Sequence, residues 1–251
     1  MVSVTLLAVI MIGLLSMFQH TQRALHVAVT QSDVFENIRG AIQLVSRDLT
    51  EMTAYGEADV TNAVFKRFDN QVPTVTLPSG IDQNLRMYEV FWLTRVNDQW
   101  QGIGYYVSND PVIPGNAGVG TLYRFAETAS RSSVPGLLRD YNSLTFTNHR
   151  VSDGIVHFSL EAVYLSGANG FGQPIFTRGS PSLRSNDLPA FVDVEIGVLE
   201  PATLKQFQAL SSVNVASAQT FLADHVGKIH FFRERVPIRN FINPYRANEV
   251  P

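Results

Sequence analysis

Apolar residues along this chain follow two rhythms, and the change from one to the other comes near residue 56. Phe35, Ile38, Ile42, Val45, Leu49 and Met52 recur at alternating spacings of three and four. That is the narrow stripe of a helix with one packing partner. Asp33, Glu36, Arg39, Gln43, Arg47, Asp48 and Glu51 fill the positions between them and predict a solvated outer face, with Arg47 and Glu51 set for an i,i+4 pair. Ahead of the stripe, Met1 to Phe18 is apolar except at Ser3, Thr5, Gly13 and Ser16. No Gly-, Pro- or Ser-rich linker separates the two stretches. One helix is therefore expected from about residue 2 to about residue 54, roughly 80 Å long, with Gly56 as its stop.

Beyond Gly56 the period is two. Val156, Phe158, Leu160, Ala162 and Tyr164 alternate with His157, Ser159, Glu161 and Val163, and Val192, Val194, Ile196 and Val198 with Asp193, Glu195 and Gly197, so each run predicts a half-buried strand. Met87 to Val96 and Gly102 to Val107, joined through Asn97-Asp98-Gln99, predict a hairpin. Shorter strands are expected at 63–68, 121–125, 144–148 and 229–238. Pro201 opens a helical piece through Leu204, Phe207 and Leu210, and Ser217 is placed to cap a second that ends at Gly227. Loops are expected at 110–120 and 166–188. The fold class is α+β: a long N-terminal helix packed on an antiparallel sheet domain, divided as 1–22, 23–56 and 57–251.

Composition sharpens the first segment. The 19 Lys and Arg and 22 Asp and Glu make up 16% of the 251 residues, and the first charge is Arg23. An uncharged run of 18 residues reaches about 27 Å as a helix, close to the thickness of a bilayer's hydrocarbon layer. A single membrane span is the expectation, with orientation left open because Arg23 is the only flanking charge. The net charge of −3 and the absence of any basic run disfavour nucleic-acid binding. With no cysteine, disulfides, thiolate metal sites and thiol nucleophiles are excluded.

Catalytic patterns are missing too. The six histidines have no ligand spacing such as HxxxH, no calcium-type acidic loop is present, and no glycine loop opens a helix to cradle a phosphate. No catalytic residue, metal or cofactor is assigned, and no enzyme is expected. Trp92, Trp100, Tyr105 and Tyr106 on the hairpin are either core or a candidate ligand surface.

The apolar helix leading without a break into an amphipathic half and then a β-rich domain resembles the layout of type IV pilin-like proteins. Residues 2–18, VSVTLLAVIMIGLLSMF, look like the body of a prepilin hydrophobic segment. AIQLVSRDLT at 41–50 is similar to the Arg-Asp-Leu helix of minor pilins and of J-class pseudopilins of type II secretion. LPAFVDVEIGV at 188–198 and RVPIRN at 235–240 resemble their closing strands. The resemblance implies a structural subunit at or near the tip of a pilus-like or pseudopilus filament. It would sit in the inner membrane with its domain periplasmic or extracellular, and its partners would be other pilin-like subunits and the assembly platform.

Leu6, Leu7, Val9, Ile10, Ile12, Leu14, Leu15 and Phe18 would form the subunit and membrane interface, and the stripe from Phe35 to Met52 would hold the domain. Family members carry a basic leader, a cleavage glycine, an aromatic residue and a glutamate ahead of this run. Here Met1-Val2-Ser3 already lies within the run, so those features are expected upstream, and no residue is given a processing role. The alternative is a membrane-anchored envelope module that binds a glycan or protein.

Overall fold

The computed structural model describes residues 2–57, 59–68, 74–76, 82–85, 87–109, 118–143, 149–168, 174–179, 182–184 and 187–241. It is a mixed α/β chain built on a large, mainly antiparallel sheet. In order the elements are α1 (Val2–Thr50), β1 (Thr61–Phe68), β2 (Thr74–Thr76), β3 (Asp82–Asn84), β4 (Met87–Val96), β5 (Gln99–Asn109) and β6 (Gly120–Ala129). There follow α2 (Val134–Ser143), β7 (His149–Ala168), β8 (Pro174–Gly179), β9 (Ser182–Arg184), β10 (Phe191–Leu199), α3 (Pro201–Ser211), α4 (Val215–Asp224) and β11 (Ile229–Pro237).

The main sheet runs β11-β10-β7-β6-β5-β4-β1-β9, with β8 on the second edge of β7 and β2–β3 a separate ribbon. A parallel bridge from Met87 to Phe158 brings the start of β4 against β7, so the sheet curls on itself. The hairpin turn is two residues, not the three read from the sequence. Gln99 already pairs with Val96, and Asn97 and Asp98 take φ of 49° and 64°, the left-handed pair that a right-twisted hairpin favours.

The last turns of α1 cover one face of this sheet, over β7, β10 and β11. Their apolar residues join Val90, Trp92, Tyr105, Phe158, Leu160, Val192, Val194 and Ile196 in the principal core. On the opposite face α2 packs Val134, Leu137 and Tyr141 against Phe91, Leu93, Trp100 and Phe125. Gly102 and Gly104 are what let it approach: a Cβ on Gly104 would sit 2.3 Å from the Tyr141 ring. Elsewhere on that face α3 and α4 enclose Phe207, Ala218, Leu222 and Leu199.

Several boundaries differ from the sequence expectation. The helix ends at Thr50, and Met52 instead bridges Thr94 of β4; Gly56, with φ of 88°, lies farther along the connection. Asn214, not Ser217, caps α4, its side chain accepting from the amides of Ala216 and Ser217. The 166–188 region holds β8 and β9 rather than a bare loop, whereas the expected strand at 144–148 lies outside the described residues. Pro201 does open α3, where its missing N–H removes no helix bond.

Candidate functional site: the helix and its junction with the sheet

The two ends of α1 meet different surroundings. Met11, Ile12, Leu14, Leu15, Met17, Phe18, Leu25 and Val29 are each between 58% and 70% exposed. Successive residues point about 100° apart, so Met11, Ile12, Leu14, Leu15, Met17 and Phe18 spread over rather more than half of the circumference, with Gly13 and Ser16 on the remainder. Thr21 satisfies its own hydroxyl by donating to the Met17 carbonyl at 2.9 Å. Leu6, Leu7, Val9 and Ile10 lie outside the residues whose side chains are described. Among the described residues, no helix is long and apolar enough to cross a membrane.

From Ile38 onward the stripe is buried. Ile38, Ile42, Val45, Leu49 and Met52 are all under 9% exposed, and Ala41 joins them. Phe35 stands at the rim, 47% exposed, with its ring 5.4 Å from Phe232 and 5.6 Å from His230. Burying each aliphatic side chain is worth about 1.5–3 kcal/mol, so this stripe is a substantial attachment.

Asp48 departs from the sequence expectation. Periodicity assigns it to the solvated face, yet it is 2% exposed and faces the sheet. Its Oδ2 accepts from Tyr105 Oη of β5 at 2.7 Å and from Arg124 Nε of β6 at 2.6 Å, and its Oδ1 from Arg47 Nη2 at 3.2 Å. Its main-chain carbonyl, one of the last four in the helix, accepts the indole N–H of Trp92 from β4 at 3.1 Å. Three strands therefore hold one residue. Burial, then the charge and hydrogen bond of Asp48, push the Tyr105 phenol far above its ordinary range, against the opposing pull of Arg124. For Arg124 burial acts to lower the value, but the bonds to Asp48 outweigh it and the guanidinium is held more firmly protonated.

Smaller ties close the junction. Ser46 donates to Glu234 of β11 at 2.9 Å, and Thr53 N–H donates to the Leu93 carbonyl. Asn240 Nδ2 donates to the Met52 carbonyl at 2.8 Å and to Thr53 Oγ1 at 3.0 Å, so the end of the described chain clasps the exit of the helix.

Compared with known proteins, the chain matches no family model, no curated protein and no solved structure.

The hairpin aromatics need correction as a ligand surface. Trp92 and Tyr105 are fully buried and stacked at 5.6 Å in the principal core, and Trp100 lies under Tyr55. Only Tyr106 is part exposed, stacked on Tyr123. They are core because the hairpin has helices on both faces, α1 on one and α2 on the other. Among the described residues, no group of three or more His, Asp or Glu could hold a metal ion.

The charged face of β10 and β11 is paired across strands: Arg235 grips Asp193 through Nε at 2.6 Å and Nη2 at 3.0 Å, Arg178 adds 2.8 Å from β8, and Arg233 meets Glu195 at 2.8 Å. The hydrogen bond from Arg235 holds the Asp193 carboxyl below the usual range, with burial opposing and the Arg178 charge helping. Sequence reasoning missed Asp48, Arg124 and Asn240 as fastening residues. The Asp48 signal was available only as a carboxylate beside the apolar stripe, next to Leu49.

Proposed function

We propose that this chain is a membrane-anchored structural subunit that assembles through α1 into a type IV pilin-like filament. It would act as a minor pilin or minor pseudopilin at or near the tip. The observation that carries the reading is the division of one helix: an uncharged half whose described apolar side chains, Met11 to Phe18, are all exposed, and a half fastened to an antiparallel sheet by an apolar stripe and a buried ion pair. So wide an exposed apolar surface on a helix has a low free energy only in lipid or among other helices. In the membrane the subunit would wait as a single span with its domain outside the cytoplasm. In the filament, contacts with neighbouring helices would replace those with lipid.

Chain length and the broad sheet suit a capping subunit better than a repeated one, by analogy alone. The competing reading, an anchored binding module, loses three of its four aromatic contact residues to the core. A pair of variants separates the two. Leu14→Arg or Leu15→Arg, verified to remain membrane-inserted, should abolish filament assembly in the native host and leave the domain folded. Normal assembly by such variants would contradict the proposal.

A further inference from the structure

We infer that the Asp48 cluster serves to specify register: it fixes how far along, and at what rotation, α1 sits on the sheet. The apolar stripe alone does this poorly. Its residues recur at Ile38, Ile42, Val45 and Leu49, so a slip of one turn, about 5.4 Å, again lays aliphatic side chains on a floor of Leu160, Val192, Val194 and Ile196. Such contacts change little between neighbouring registers.

Asp48 breaks that degeneracy. After a one-turn slip that advances the helix its slot would be filled by Leu44, which is apolar. The buried Tyr105 hydroxyl and the Arg124 guanidinium, 16% exposed, would then face hydrocarbon with no acceptor. The three contacts also triangulate. Tyr105 and Arg124 reach the side chain from β5 and β6, while Trp92 reaches the main-chain carbonyl from β4, so translation and rotation are fixed together. A buried ion pair adds little net stability over an apolar replacement of similar volume, and register is the best-attested use of such groups.

This inference deepens the proposed function and rests on it for its importance. If α1 is the assembly helix, the rotation set at Asp48 decides which way the domain faces when the apolar half is gripped by neighbours. The test, however, needs no assembly. Because the chain has no cysteine, Gln43→Cys on the exposed side of α1 and Thr128→Cys on β6 can carry spin labels in the full chain in detergent.

With the cluster intact the label distance should be single and narrow. In the background Asp48→Leu, Tyr105→Phe, Arg124→Leu, the domain should melt within a few degrees of the parent, and the distribution should gain a second population displaced by about one turn. Asp48→Asn, whose amide oxygen still accepts from both partners, should keep the narrow distance even if it melts earlier. A triple variant with the parent's single distance would overturn the inference. So would one that no longer folds, because the cluster would then be holding the helix on rather than placing it. Either result leaves the filament proposal standing, since that proposal fails only on assembly.

Discussion

The two ends of α1 both carry aliphatic side chains and belong to one helix, yet the fold treats them differently. Leu14 and Leu15 are 63% and 58% exposed, whereas at Val45 and Leu49 exposure falls to 0%. Hydrophobicity alone does not say which half the domain uses. The difference comes from the residues between the apolar ones. In the docked half, charged residues confine the apolar surface to one stripe, which defines a face for the sheet to take. In the first half no charge occurs before Arg23, so charge marks out no face for the sheet to take.

The comparison breaks most sharply at Asp48. Asp48→Ala should cost about 3–5 kcal/mol in denaturant unfolding, because it strands a buried arginine and a buried phenol. Trp92, bonded to the Asp48 carbonyl, supplies a fluorescence signal for it. Leu49→Ala follows, with an expected loss of about 2–5 kcal/mol. The matched change in the other half, Leu15→Ala, should leave domain unfolding within about 0.5 kcal/mol of the parent. A comparable loss at Leu15 would mean that the exposed half packs on the domain after all.

Smaller effects separate the junction from the sheet's own electrostatics. Asp193 has a lowered folded-state value, so its contribution is complete above the ordinary carboxylate value near pH 4 and is lost as pH falls through the lowered one. Asp193→Asn should therefore reduce the melting temperature at pH 7 and flatten its decline in acid. Glu127 is the reverse case: burial, and then the charge of Asp140, raise its value, and its Oε2 is buried without a hydrogen-bond partner among the described residues. Its contribution is present below about pH 4 and lost as pH rises through the raised value. Glu127→Gln should thus slightly raise the melting temperature at pH 7 and leave it unchanged at pH 3.5.

What was legible in the sequence is what repeats locally. The three-and-four spacing located the docked stripe, and alternation located β10 within a residue of its bounds and the central half of β7, which starts earlier, at His149. α2 was not assigned from the sequence: Pro135 and Gly136 are poor helix formers, although Pro135 sits in the first turn, where it is tolerated, and Val134, Leu137 and Tyr141 keep helical spacing. The Asp48 cluster was illegible for a different reason. Its partners lie 57 and 76 residues away, on strands whose approach depends on the completed sheet, so no local pattern distinguishes Asp48 from the solvated Glu51. The aromatic hairpin taught the same lesson: which face of a strand is buried depends on what the rest of the chain lays over it, and here helices cover both.

The central claim, that the exposed half of α1 is an assembly surface, is tested most directly by cross-linking in the native host. With no native cysteine, a chain carrying only Leu14→Cys can form disulfides solely with other subunits bearing a cysteine at the facing position. Co-expressed with cysteine-bearing pilin-like partners, it should give inter-subunit products under oxidation, and Gln43→Cys on the solvated side of the docked half should give few. Leu14→Cys subunits that stay membrane-inserted and uncross-linked while filaments assemble would contradict the account.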